Sequence, residues 1–339
     1  MKLKLIPLLI AACCSCTHTV SIDTLPDDFS TEVYTPSHAT GFRLLACDSD
    51  STLLALEVYR PDTMRIAIPR GGFAQLLCMS STYVGALTTL GADDRIVAVS
   101  GKQYLTNRRV AERAAEVGYE GAMDYEALLA AKPDLALIYG VGGESALAAK
   151  LAELSVPYVY IADFEEQSPI GRAEWMVALG ALAGVDGTER FEQIRQAYRP
   201  VADSTAAVMI NAPYSGSWFI PGRDNYMSQL LRDAGARLTA PQPAGYESRP
   251  IDREQALPAL ERAGYWLNPG QAETMEQVRA LVPQAKFGGS VWNQTPDFYE
   301  SGASRPDLVL EELQKIFSAS APDSMRYFKR SRGKEPDGC

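Results

Sequence analysis

The sequence predicts an α/β protein of two lobes with mainly parallel sheets, joined by one long bridging helix. Three observations carry that expectation. From residue 75 to 161, short apolar runs alternate with helical stretches of about ten residues, the pattern of parallel βαβ units. From 169 to 183 the alternation stops and one uninterrupted helical segment, PIGRAEWMVALGALA, replaces it. From 206 to 317 the alternation restarts, with no clear sequence repeat of the first half. At 339 residues the chain is long enough for about two domains.

The elements follow in order. Residues 42–47 and 52–58 flank Asp48-Ser49-Asp50-Ser51 and read as a hairpin, with short strands at 64–68 and 75–78 after it. A helix at 81–90 ends at Gly91, and 96–99 is a strand. A helix at 125–131 is stopped by Pro133, and the buried strand 135–139 runs into Gly140, Gly142 and Gly143. These glycines lack both GxxxxGK[ST] and GxGxxG spacing, so they read as a turn and not a phosphate loop. A helix at 145–154 and a strand at 157–161 complete the first lobe. The bridging helix opens with Pro169 and closes at Gly184. Trp175, Leu179 and Leu182 give it one apolar face. A helix at 188–198 follows. The second lobe has strands at 206–210, 265–267 and 290–292, and helices at 226–234, 253–263, 274–281 and 308–317. Ligands of parallel sheets bind at the carboxyl ends of strands, which points to loops 80–83, 100–104 and 139–143.

Both ends of the chain read differently from the body. Residues 1–16, MKLKLIPLLIAACCSC, place Lys2 and Lys4 before a short apolar run from Leu5 to Ala12. That run is too short to span a bilayer of roughly 30 Å and reads as an export signal. Small residues before Cys13 and Cys16 resemble the lipobox of bacterial lipoproteins, which implies a lipid anchor on one of these cysteines. Residues 17–40 have no apolar period and read as a flexible tether. The boundaries are then 41–168 for the first lobe, 169–186 for the bridging helix, 187–322 for the second lobe and 323–339 for a basic, solvated tail. Cys47 and Cys78 sit in apolar runs, as buried thiols or as a disulfide.

Composition excludes several chemistries. Hydrophobic residues at 46% and charged residues at 22% are those of a globular chain. With 42 acidic against 32 basic residues the net charge is −10, a poor surface for nucleic acid. The two histidines, His18 and His38, precede the expected fold. That leaves no histidine for a catalytic triad or a His-rich metal cage in the body.

The body resembles the substrate-binding proteins of ABC importers for iron complexes and cobalamin, the helical-backbone class of periplasmic binding proteins. Five stretches carry the resemblance, over roughly residues 76–260. They are Ser80-Ser81-Thr82-Tyr83 through Arg95-Ile96-Val97-Ala98-Val99, and Met123-Asp124-Tyr125-Glu126 through Lys132-Pro133-Asp134-Leu135. The others are Glu174-Trp175 to Leu179-Gly180, Gly216-Ser217-Trp218-Phe219-Ile220-Pro221-Gly222 with Leu230 to Ala236, and 248–256 around Asp252-Arg253-Glu254. The resemblance implies a ligand cleft between the lobes and no enzymatic activity or cofactor. It further implies export, a monomeric carrier, and as partner an ABC permease of two membrane subunits with a cytoplasmic ATPase. In that family one Glu on each lobe docks on permease arginines, and these positions fall on Glu126 and Glu254.

Candidate ligand residues come from the residues themselves. Tyr214, Trp218, Phe219 and Tyr226 lie among Pro213, Gly216, Pro221 and Gly222, where aromatics suit a flat chelate or macrocycle. Tyr83, Lys102, Tyr104 and Tyr139 are their counterparts on the first lobe, and Trp292 and Asn293 end a later strand. Arg249, with Arg223 and Arg305, would meet an anionic ferric siderophore. Haem would take an axial ligand from tyrosine. The ligand is therefore expected to be an iron chelate, siderophore or haem, with cobalamin as the alternative. An exported α/β hydrolase is the competing class, without a GxSxG elbow, and an adhesion module would need a large exposed apolar patch.

Overall fold

Continuous apolar runs such as Leu76-Leu77-Cys78 and Leu135-Ala136-Leu137-Ile138 have no solvent face, so they belong at the centre of a sheet covered on both sides. In the computed structural model, which describes residues 28–59, 63–140, 145–203, 205–214, 216–270 and 272–332, they do. The first-lobe sheet runs Tyr158–Tyr160, Leu135–Ile138, Leu76–Cys78, Ile96–Val99, Ala115–Glu116, all parallel. The second-lobe sheet runs Ala236–Leu238, Ala206–Ile210, Tyr265–Leu267, Ser290–Gln294, also parallel, and ends on the antiparallel Phe328–Arg330. The tail expected to be frayed from 323 is therefore tied down as far as Arg332. Tyr327, wholly buried, is the anchor that makes the difference.

The bridging helix is Pro169–Ala183. Its N-cap Ser168 accepts a hydrogen bond from the Gly171 N–H, and Gly184 closes it in the left-handed region at φ 74°. At that end Gly184 crosses Gly72 so closely that a Cβ on Gly72 would lie 2.1 Å from the Gly184 nitrogen. The expectation of a single apolar face fails: every residue except Arg172 and Ala181 is buried.

The cover on that helix is the segment the sequence left without a place. The hairpin is the middle of a four-stranded antiparallel sheet, Thr31–Tyr34, Phe42–Ala46, Leu54–Val58, Met64–Ile68. Phe42 packs on Trp175 with ring centroids 4.9 Å apart. From residue 28 onward the expected tether is thus strand and pinned loop. It is held by two buried carboxyl groups, Glu174 and Glu166. The Tyr34 hydroxyl (2.8 Å) and the backbone N–H groups of Ser37 (2.9 Å), His38 (2.8 Å) and Ala39 (2.6 Å) donate to Glu174. Thr40 N–H (2.8 Å), Gly41 N–H (3.1 Å) and Trp175 Nε1 (3.0 Å) donate to Glu166. Hydrogen bonding substitutes for the apolar period that the segment lacks.

Cys47 and Cys78 are both free and buried, Cys47 just after the strand Phe42–Ala46 and Cys78 in the first-lobe sheet. Burial pushes the Cys78 thiol well above its ordinary range, which leaves it inert. Cys13 and Cys16, with the signal, lie outside the described residues.

Candidate ligand-binding site

Parallel strands in one lobe point their carboxyl ends the same way, so the loops that leave those ends form one surface per lobe. On the first lobe, Ile96–Val99 is followed by Gly101 at φ 75° and a 3-10 turn, Lys102–Tyr104. The Glu116 carboxyl group braces this turn by accepting the N–H groups of Gly101 (3.1 Å), Lys102 (2.6 Å) and Gly118 (2.8 Å). The turn lifts Tyr104 out to 71% exposure. Lys102 does not follow it: its Nζ donates to the Ala114 carbonyl at 3.0 Å and helps hold the turn. Tyr139, half-buried, follows Leu135–Ile138. Burial and then Glu120 raise its hydroxyl above the ordinary value, so it stays protonated and able to donate at neutral pH.

On the second lobe, Ala206–Ile210 leads to Tyr214, which is 76% exposed on a tight turn closed by reciprocal hydrogen bonds with Ser217. The next residues were expected as an aromatic loop and are instead a strand, Trp218–Ile220, paired antiparallel with Arg249–Ile251. A strand alternates its faces. Phe219 therefore points outward while Trp218 and Ile220 are buried. Trp218 packs 5.6 Å from Trp266 and its Nε1 donates to the Ile210 carbonyl at 2.9 Å.

Of the other expected ligand residues, several have side chains held by internal contacts. Tyr83 is buried, and its hydroxyl donates to the Ile161 carbonyl at 3.0 Å. Trp292 is buried with the Arg330 guanidinium 5.9 Å from its ring. Asn293 donates its amide to the Ala272 carbonyl (2.8 Å) and Ser331 Oγ (3.0 Å). Tyr226 lies beneath Arg172, its ring centroid 5.2 Å from the guanidinium. Arg249 lies exposed beside Glu247 at 3.4 Å, and Arg223 is exposed. Arg305 is closed in a bidentate pair with Asp307.

Sequence reasoning missed Tyr299 and Phe164. Tyr299 follows Ser290–Gln294 in the short helix Pro296–Glu300, is 53% exposed, and donates its hydroxyl to Gln294 Oε1 at 2.9 Å. Phe164 follows Tyr158–Tyr160 and is 38% exposed. The signal was available in both cases: an aromatic within a few residues of the carboxyl end of an apolar run. Tyr299 also marks where the lobes meet. Its carbonyl accepts from Ser81 Oγ at 3.2 Å, and Thr106 Oγ1 donates to Asp297 at 2.9 Å. Glu300 accepts the backbone N–H groups of Thr106 and Asn107. Gly85 must be glycine here, because a Cβ would lie 1.9 Å from the Glu300 carbonyl oxygen.

Glu126 and Glu254 both lie exposed in the first turns of the helices Tyr125–Ala131 and Arg253–Glu261. Asp124 caps the first by accepting from Ala127 N–H at 2.9 Å. Asp252 makes no side-chain cap bond on the second.

The description of the periplasmic binding protein family, matched as a sequence pattern, fits residues 76–276. This chain belongs to that family. The match spans the first lobe, the bridging helix and most of the second lobe, and leaves the antiparallel sheet at 31–68 outside. An uncharacterized lipoprotein of Methanocaldococcus jannaschii is 21% identical over 272 residues, which are 73% of this chain and 66% of the relative. Among solved structures, a periplasmic heme binding protein from Pseudomonas aeruginosa is 17% identical with a TM-score of 0.57, over 78% of this chain and all of that one. The periplasmic vitamin B12 binding protein of Vibrio cholerae is 15% identical with a TM-score of 0.54, over 73% of this chain and 98% of that one. These likenesses show the fold. Periplasmic binding proteins of this family are ligand carriers, not enzymes. Among the described residues no helix is long and apolar enough to cross a membrane.

Proposed function

We propose that this periplasmic binding protein is the lipid-anchored substrate-binding component of an ABC importer. It captures an iron chelate, siderophore or haem, between its lobes and delivers it to the permease. The observation that carries the reading is the placement of exposed aromatics. Tyr104 on the first lobe and Tyr214 and Tyr299 on the second are all exposed, and all sit in segments that follow the carboxyl ends of parallel strands. Large exposed aromatics held by braced turns are suited to stacking on a flat, partly apolar ligand. Glu126 and Glu254 are the docking carboxylates for permease arginines, and Cys13 or Cys16 carries the lipid.

The test is thermal unfolding of the purified protein with haem, ferric siderophores and cobalamin. A ligand at a hundred times its Kd stabilises the native state by about 2.7 kcal/mol, a shift of several degrees. A rise with haem or a ferric siderophore supports the reading. A rise with cobalamin alone reassigns the ligand, and no rise with any of them overturns the reading.

A further inference from the structure

Arg172 is the one charged residue of the bridging helix that keeps contact with solvent, its side chain 20% exposed. It projects among three elements. Asp163 lies just after Tyr158–Tyr160, and Thr82 and Tyr83 open the helix after Leu76–Cys78. Tyr226 opens the helix after the second lobe's Ala206–Ile210 and Trp218–Ile220 strands. The side chain therefore stands between a residue of the first lobe, Asp163, and one of the second, Tyr226.

Its geometry is fixed from two directions. Nε donates to Asp163 Oδ2 at 3.2 Å, and the guanidinium carbon lies over the Tyr226 ring, 5.2 Å from the centroid. Both supports are themselves held: Asp163 is 5% exposed, and Tyr226 is packed against the core. A guanidinium has five N–H donors in a rigid fork. Here the Nε edge is used, while the Nη groups donate to no described residue. An arginine held by one edge, stacked on a ring and open at the other edge is suited to a planar two-oxygen acceptor. The arginines that sequence reasoning singled out do not offer this: Arg223 and Arg249 are exposed with no ring of a described residue beneath them, Arg249 beside Glu247, and Arg305 is filled by Asp307.

We propose that Arg172 is the anion-recognising residue of the inter-lobe site, and that the ligand is a metal complex bearing carboxylate groups. The proposal rests on the ligand-carrier reading above and selects within it. The carboxylate is supplied either by the side chains of a tetrapyrrole or by the chelating arms of a siderophore. In either case the anion completes the free edge of a cation that Asp163 and Tyr226 have already oriented, so little ordering is needed on binding.

The experiment measures affinities of the full chain by tryptophan quenching for four probes: haem, haem dimethyl ester, ferric citrate and cyanocobalamin. The wild type should bind haem or ferric citrate, and haem at least ten-fold tighter than its ester if the carboxylates are those of a tetrapyrrole. Arg172→Gln should lower affinity for the carboxylate-bearing probe at least ten-fold and leave the ester unchanged. Arg172→Lys, which keeps the charge and loses the fork, should fall between. A merely structural arginine would weaken haem and ester alike, and that result overturns the proposal while leaving the carrier reading intact. So does a wild type that binds cyanocobalamin only, or that binds haem and its ester equally without binding ferric citrate. Because the wild-type comparison needs no variant, it decides the matter even if Arg172→Gln does not fold. Binding of none of the four overturns both readings.

Discussion

Trp218 sits where one strand face turns inward, with its ring on Trp266 and its indole N–H committed to the Ile210 carbonyl. Truncating a buried aromatic costs the lost transfer energy plus a cavity. Trp218→Ala should lower unfolding stability by about 3–5 kcal/mol in a denaturant titration. A variant with native stability and weakened ligand binding would return Trp218 to the binding surface. Residue roles were the least legible part of the sequence. Composition placed aromatics near Gly and Pro at 213–226, but the inward or outward sense of each depends on strand period. Trp218-Phe219-Ile220 is too short a run to declare that period. The exposed tyrosines 104 and 214 and the half-buried Tyr139 were legible because they follow unmistakable apolar strands; Tyr83 and Trp292 adjoin strands as well and are buried. Proximity to a strand end thus locates the surface without saying which side chains face it.

At the scale of elements, the bridging helix was legible from both its ends, Pro169 and Gly184, because caps act through local backbone chemistry. The antiparallel sheet at 31–68 was not. Its first strand is mostly exposed, and what fixes its approach to the helix is hydrogen bonding to Glu174 and Glu166, more than 120 residues further along the chain. The first turns at 125 and 253 test the proposed docking on a permease. Changing Glu126 and Glu254 together to Lys should abolish uptake in cells while leaving the affinity of the purified protein unchanged. Charge reversal near a helix start costs about 0.3–1 kcal/mol each, too little to unfold a domain stable by roughly 5–15 kcal/mol. Reversal should also hurt more than Ala substitution, since like charges facing arginines repel. Normal uptake by the double variant would remove these residues from docking, and a matched loss of affinity would move them to the ligand.

For the molecule as a whole, alternation of strands and helices interrupted by one long helix was enough to specify two lobes and their connection. The sheet orders and the contacts of residues 297–304 with the first lobe arise only from tertiary packing. The proposed attachment of the body to a membrane rests on Cys13 and Cys16. Substituting both Cys13 and Cys16 with Ser should abolish lipid labelling and shift the protein to the fluid fraction, while labelling that persists would place the anchor elsewhere. The clasp around Glu174 and Glu166 has a consequence in time. Its donors on residues 34–41 lie 125 to 140 residues before their acceptors in sequence. A chain that emerges amino terminus first, at about 5–20 residues per second, exposes residues 28–68 on the order of ten seconds before their acceptors exist outside the channel. During that interval four strands with an unpaired edge have no helix to cover them. The protein's vulnerable moment is therefore early in its emergence, and a chaperone that shields a nascent antiparallel sheet would matter more to its yield than one that assists the finished lobes.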